Sequence, residues 1–187
     1  MRVRIEPAPK NRAKMKTYHI LVGNCEELLN DFIEALFREV CGGKAVVKCA
    51  RAARAGDLVR QACESEFDLV IQVPHNLLPG FCEPTPMGFI AAAIGSIQTI
   101  KSRRPVPVIV IVAPEERSKY EPLLLEAGAD CVLELPFDGD QLASAVGRLL
   151  QLPTRLEYLE SKRWFFAGVL MRGLRRLAQS QPLHQTK

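Results

Sequence analysis

This sequence predicts an α/β fold in which one parallel sheet is covered by helices on both faces. Three observations point there. Strand-like apolar runs alternate five times with helix-spaced apolar stripes between residues 17 and 152, the run VIVIVA at 108–113 is apolar without alternation, and glycine or proline punctuates most connections. Right-handed crossovers then make the sheet five-stranded, with binding sites expected at the carboxyl ends of the strands.

The first strand is HILV at 19–22, preceded by Tyr18. Leu28, Leu29, Phe32, Ile33, Leu36 and Phe37 then recur on a 3.6-residue period as the first helix, which Gly42 and Gly43 end. AVV at 45–47 is a short second strand, and Leu58, Val59, Ala62 and Cys63 mark the second helix. DLVIQV at 68–73 is the third strand. The loop after it, with prolines at 74, 79, 84 and 86, is too rich in proline for regular structure. Thr85 and Pro86 form an N-cap and first-turn pair for a third helix with Ile90, Ala93, Ile94 and Ile97 on its inner face. The fourth helix lies between Pro114 and Gly128 and is expected to restart or kink at Pro122. CVLEL at 131–135 is the fifth strand, and Asp138 caps a last helix carrying Leu142, Val146, Leu149 and Leu150.

Charge divides the chain unevenly. Residues 1–16 carry six Lys/Arg against one acid and residues 153–187 carry seven against two, whereas residues 17–152 hold 18 of the 21 acids and 12 of the 25 bases. Attraction to an anionic partner is therefore expected to reside in the ends. No apolar run reaches the length of a membrane span, and no apolar h-region precedes a cleavage site. Cysteines 25, 41, 49, 63, 82 and 131 are scattered without CxxC pairs and read as buried thiols in a reducing compartment, so a cytoplasmic location is expected.

Four motifs at strand ends, ILVGN at 20–24, DLVIQV at 68–73, PVIVIVA at 107–113 and GADCVLELPF at 128–137, resemble the receiver domains of bacterial response regulators. The resemblance covers residues 17–152 and implies a flavodoxin-like, CheY-like (βα)5 domain. In that family the last motif ordinarily runs glycine, alanine, aspartate, a short strand, then lysine, proline and phenylalanine. Here Leu135 stands for the lysine.

The family transfers a phosphoryl group to an aspartate at the end of strand three, with a divalent ion, a hydroxyl and a lysine around it. Such transfer needs a carboxylate nucleophile and cations that neutralise the moving charge. The resemblance puts the acidic pair at Asn24 and Cys25, the acceptor at Val73, the hydroxyl at Val112 and the cation at Leu135. Valine offers no nucleophile, and Asn24 offers magnesium one neutral oxygen. Asp68 opens its strand rather than closing it, and Glu26 and Glu27 fall in the first turn of a helix, where its positive end favours them. A degenerate, non-enzymatic pseudo-receiver that cannot be phosphorylated on aspartate is expected, with a closed or weakly apolar patch at the former pocket. Ordinary core filling is the simpler account of that patch; a small apolar ligand or an inserted partner side chain is the other.

No cofactor or metal motif is present: GxGxxG, GxSxG and Walker sequences are absent. His75 and Cys82 share one loop without a companion pair and are expected to be solvated rather than zinc ligands.

Residues 1–16 read as a basic, disordered arm, residues 153–180 as an amphipathic basic helix and 181–187 as a tail. Leu156, Leu159, Phe166, Leu170, Leu174 and Leu177 share one helical face, Arg172, Arg175 and Arg176 lie towards the other, and Trp164 opens the apolar stretch to Met171. That segment suits packing on its own domain, homodimer formation, a groove in a protein partner or a membrane surface. One basic arm without a helix-turn-helix or an aromatic platform makes a specific nucleic-acid partner unexpected. The leading expectation is a protein-interaction module in two-component-like signalling. The alternatives are a small-ligand sensor of the same topology and a peripheral membrane protein.

Overall fold

The computed structural model describes residues 16–23, 27–40, 45–76, 85–137 and 139–152. In chain order these form β1 (Lys16–Gly23), α1 (Glu27–Val40), β2 (Ala45–Ala52), α2 (Ala55–Glu64), β3 (Leu69–Gln72), α3 (Pro86–Arg103), β4 (Val108–Val112), α4 (Pro114–Glu126), β5 (Cys131–Glu134) and α5 (Gly139–Leu150). A short 3-10 turn, Pro74–Asn76, follows β3. All described strand pairs are parallel, in the order β2-β1-β3-β4-β5. Strand order therefore reverses between β1 and β3.

Side-chain alternation sends each strand into two cores. Ile20, Val22, Leu69, Ile71, Ile109 and Ile111 pack with α1 and α5, while Leu21, Val70, Val108, Val110 and Val132 pack with α2, α3 and α4. β4 is buried along its whole length, the reason its apolar run does not alternate.

Two elements differ from the sequence expectation. β2 extends over eight residues rather than three, because each residue from Ala45 to Ala52 pairs with its counterpart in β1. As an outer strand it exposes Val46, Lys48 and Arg51, which hides its length from an apolar-run reading. α4 runs unbroken through Pro122. Proline removes the N–H that would bond the Ser118 carbonyl, but both residues are exposed, so water can take that acceptor.

Local chemistry fits the ends of several elements. Thr85 Oγ1 accepts the Gly88 N–H at 3.1 Å and Pro86 opens α3. Gly128 adopts φ 109° after α4, and Ala129 N–H closes on the Leu124 carbonyl at 3.0 Å. An L side chain there would be strained and would also meet Lys101 at 3.1 Å. Gln151 at φ 53° ends α5 in the same manner, with Leu152 N–H donating to the Gly147 carbonyl at 2.9 Å and the Leu152 side chain buried against α1 and α5. None of the described helices is long and apolar enough to cross a membrane.

Candidate functional site

The carboxyl ends of β1 and β3 flank the point where strand order reverses, the place where this topology holds its ligands. Val73 follows β3, and its N–H donates to the Gly23 carbonyl at 2.9 Å, extending the ladder by one bond. Its side chain is 1% exposed and packs in the α1/α5 core. Val112, also 1% exposed, ends β4 and packs in the opposite core. Leu135 donates its N–H to the Val112 carbonyl at 2.8 Å and rests half-buried on the α1/α5 core. These three residues thus end neighbouring strands with apolar side chains divided between two cores. None can accept a phosphoryl group or ligate a metal. Asn24 and Cys25 lie outside the described residues. Glu27 is exposed in the first turn of α1.

Beside this apolar edge stands a polar pair that the sequence reading did not find. His75 Nε2 and Glu116 Oε2 are 2.6 Å apart, with side chains 28% and 10% exposed. The same Glu116 oxygen accepts the Ala113 N–H at 3.3 Å, half of a capping box in which Ala113 has no side-chain oxygen to complete the other half. The His75 ring meets Phe89 edge-on, 5.0 Å between centroids. His75 is therefore not the solvated loop residue expected: it joins the turn after β3 to the start of α4. The signal for Glu116 was its position three residues after Ala113. Nothing local announces His75 as its partner, 41 residues away. Cys82 lies outside the described residues, and among those described no three His, Cys, Asp or Glu side chains gather as a metal site.

Gln72 is the other polar group at this edge. It is 1% exposed, in register with Gly23 on one side and Val110 on the other, and neither amide atom has a hydrogen-bond partner among the described residues. A buried unpartnered amide group costs about 1–3 kcal/mol.

At the opposite edge of the sheet, carboxylates join backbone and helix. Asp68 Oδ2 accepts the His19 N–H at 2.7 Å while its own N–H donates to the His19 carbonyl. Asp130 Oδ2 accepts the Val108 N–H at 2.7 Å and the Lys101 ammonium at 2.6 Å. An open cleft of about 510 Å³ also lies there, lined by Thr17, His19, Glu66, Phe67, Asp68 and Arg104. It faces away from the strand ends that bear sites in this topology.

Two half-buried thiols, Cys49 and Cys131, are held in the protonated form. Burial pushes Cys49 up to about 12 and also raises Cys131, so both stay protonated near neutrality. The expected C-terminal surface, comprising Trp164, Phe166, Leu170, Leu174, Leu177, Arg172, Arg175 and Arg176, lies outside the described residues, as does the arm before Lys16.

Neither a profile of a known protein family nor a curated protein sequence matches this chain. Solved structures do match its fold. The receiver domain of the sensor histidine kinase PA1611 from Pseudomonas aeruginosa is similar at TM-score 0.55 and 19% identity, over 72% of this chain and 98% of that one. The receiver domain of NtrX from Brucella abortus is similar at TM-score 0.55 and 20% identity, over 71% and 98%. A Burkholderia pseudomallei protein described as pilus assembly-related is similar at TM-score 0.54 and 16% identity, over 76% and 96%. At these identities the likeness establishes the fold.

Proposed function

From a chain with the CheY-like receiver fold, we propose a non-catalytic pseudo-receiver that works through protein contacts and takes no phosphoryl group on aspartate. The observation that carries this reading is Val73, fully buried where the resemblance puts the phosphoryl acceptor. Val112 and Leu135 support it, because the hydroxyl and cation positions are apolar as well. A lysine kept beside a lost aspartate would be an unpaired, partly buried charge, costly by about 3–5 kcal/mol, so joint replacement by apolar residues is physically consistent.

The reading divides the chain into the receiver-like unit 17–152 and the basic segment 153–180, with contacts made through the outer helices and that segment, to a protein partner or a second copy, in the cytoplasm.

Incubation of the purified protein with magnesium and acetyl phosphate tests the proposal. No acid-stable, base-labile phosphate is expected on the chain by intact-mass measurement, and stoichiometric incorporation would overturn the reading.

A further inference from the structure

We propose that the open edge of β2 binds an extended, acidic segment of a protein partner, which joins the five-stranded sheet as an added strand. The inference rests on the reading of a contact module and names a surface of it and the chemistry of what that surface takes.

The edge is long and regular. β2 pairs with β1 at every residue from Ala45 to Ala52, so no bulge twists it away, and no described strand occupies its other side. No proline interrupts its eight residues. Alternate residues therefore turn N–H and C=O groups outward, in the pattern that an added strand takes up. Val46, near the start of β2, offers that strand an apolar contact at 39% exposure.

Charge selects the occupant. No Asp or Glu occurs between Glu39 and Asp57, a stretch that holds Lys44, Lys48, Arg51 and Arg54. Elsewhere among the described residues several bases are engaged: Arg38 by Glu34, Arg60 by Asp57, Lys101 by Asp130 and Arg117 by Glu121. Glu34, whose charge reaches Cys49 of β2, is thus already taken by Arg38. Lys48, Arg51 and Arg54 are exposed, and none has an ion pair among the described residues.

Placement decides between kinds of partner. Cys49 packs on the α1/α5 core and Ala50 on the opposite core, so Lys48 and Arg51 project from opposite faces of the sheet and flank its edge. A phosphate backbone or a lipid surface laid on one face would leave one of the two unused. A second copy of β2 would bring like charges together across the new pairing. An acidic strand meets both. Two acids three positions apart point to opposite faces, one beside Lys48 and one beside Arg51, with small or apolar residues between them beside Cys49 and Ala50.

Selection of a random peptide library on the immobilised full chain, followed by titration of labelled binders by fluorescence anisotropy, tests this. Binders are expected to carry two acids three positions apart, to slow amide exchange in β2, and to lose affinity about tenfold or more for Lys48→Glu/Arg51→Glu. Methylation of alternate peptide nitrogens should abolish binding in one phase and spare it in the other, as a paired strand requires. Reversal of two exposed bases on α3 and α5, Arg103→Glu/Arg148→Glu, should change affinity by less than about twofold. If the first variant fails to fold, Lys48→Gln/Arg51→Gln decides, with an expected loss of about threefold. The proposal is overturned if no peptide is retained, if binders lack acids, or if binding is indifferent to the β2 variants or to methylation in both phases. Protection of β2 by duplex DNA or anionic vesicles in place of peptide, or by raised protein concentration alone, assigns another occupant and overturns it as well. Phosphate incorporation would overturn the function reading without touching this one, and a failed selection does the reverse.

Discussion

At the carboxyl end of the sheet, the positions that the receiver resemblance assigns to acceptor, hydroxyl and cation hold Val73, Val112 and Leu135, with the first two 1% exposed. At the amino end, Asp68 and Asp130 are both engaged, one on the His19 N–H, the other on the Val108 N–H and Lys101. The aspartate of the GAD motif thus has a structural use that needs no phosphorylation, since it aligns the starts of β4 and β5 and holds the end of α3. Gly128 supplies the left-handed turn before it, and Ala129 fills the core between them. The contrast sets polar residues that hold the frame against apolar residues at the assigned site positions. The two sets sit at opposite ends of the strands and answer to different forces.

The largest expected effect comes from putting chemistry back at the apolar end. Val73→Asp should destabilise the protein by about 3–5 kcal/mol at neutral pH, because a carboxylate would be buried there among apolar side chains. Burial raises the pKa of such a group, so the loss should be smallest below its unfolded value near 4 and should grow as pH rises. Denaturant midpoints at acid and neutral pH check this. Full stability at neutral pH would show that the edge retains charge-stabilising partners.

Asp130→Ala should cost less, about 2 kcal/mol, by releasing the Val108 N–H and Lys101 together. Partial exposure of both side chains, 24% and 33%, keeps the figure below that of a buried pair. Exchange of the Val108 amide should quicken in parallel, and an unchanged rate would remove Asp130 from the frame. Smallest, and opposite in sign, is Gln72→Met, expected to gain about 1 kcal/mol by replacing an unpartnered buried amide with an apolar side chain of similar size. A loss of stability on thermal denaturation would mean that the Gln72 amide is engaged after all.

The fold was largely legible because it rests on local patterns. Leu29, Phe32, Ile33, Leu36 and Phe37 repeat at helical spacing and all are buried, Thr85 and Pro86 announce α3, and the run through β4 has no polar face to show. β2 was legible only in its first residues, because an outer strand is held by backbone pairing and needs few apolar side chains. Pro122 misled in the other direction: a proline on the exposed face of a helix leaves an acceptor that water can satisfy. At the site, the apolar character of Val73, Val112 and Leu135 was legible from residue type alone, whereas His75 and Glu116 gave no shared local signal.

What the sequence determined by itself was therefore the order of strands and helices and the want of reactive groups at Val73, Val112 and Leu135, since hydrophobic periodicity and side-chain chemistry belong to residues wherever they fold. Only the tertiary structure decided that His75 meets Glu116, that Gln72 is sealed without a partner among the described residues and that Asp130 reaches Val108 and Lys101. Those are matters of distance between residues far apart in the chain. Sheet pairing and the packing of the two cores create them.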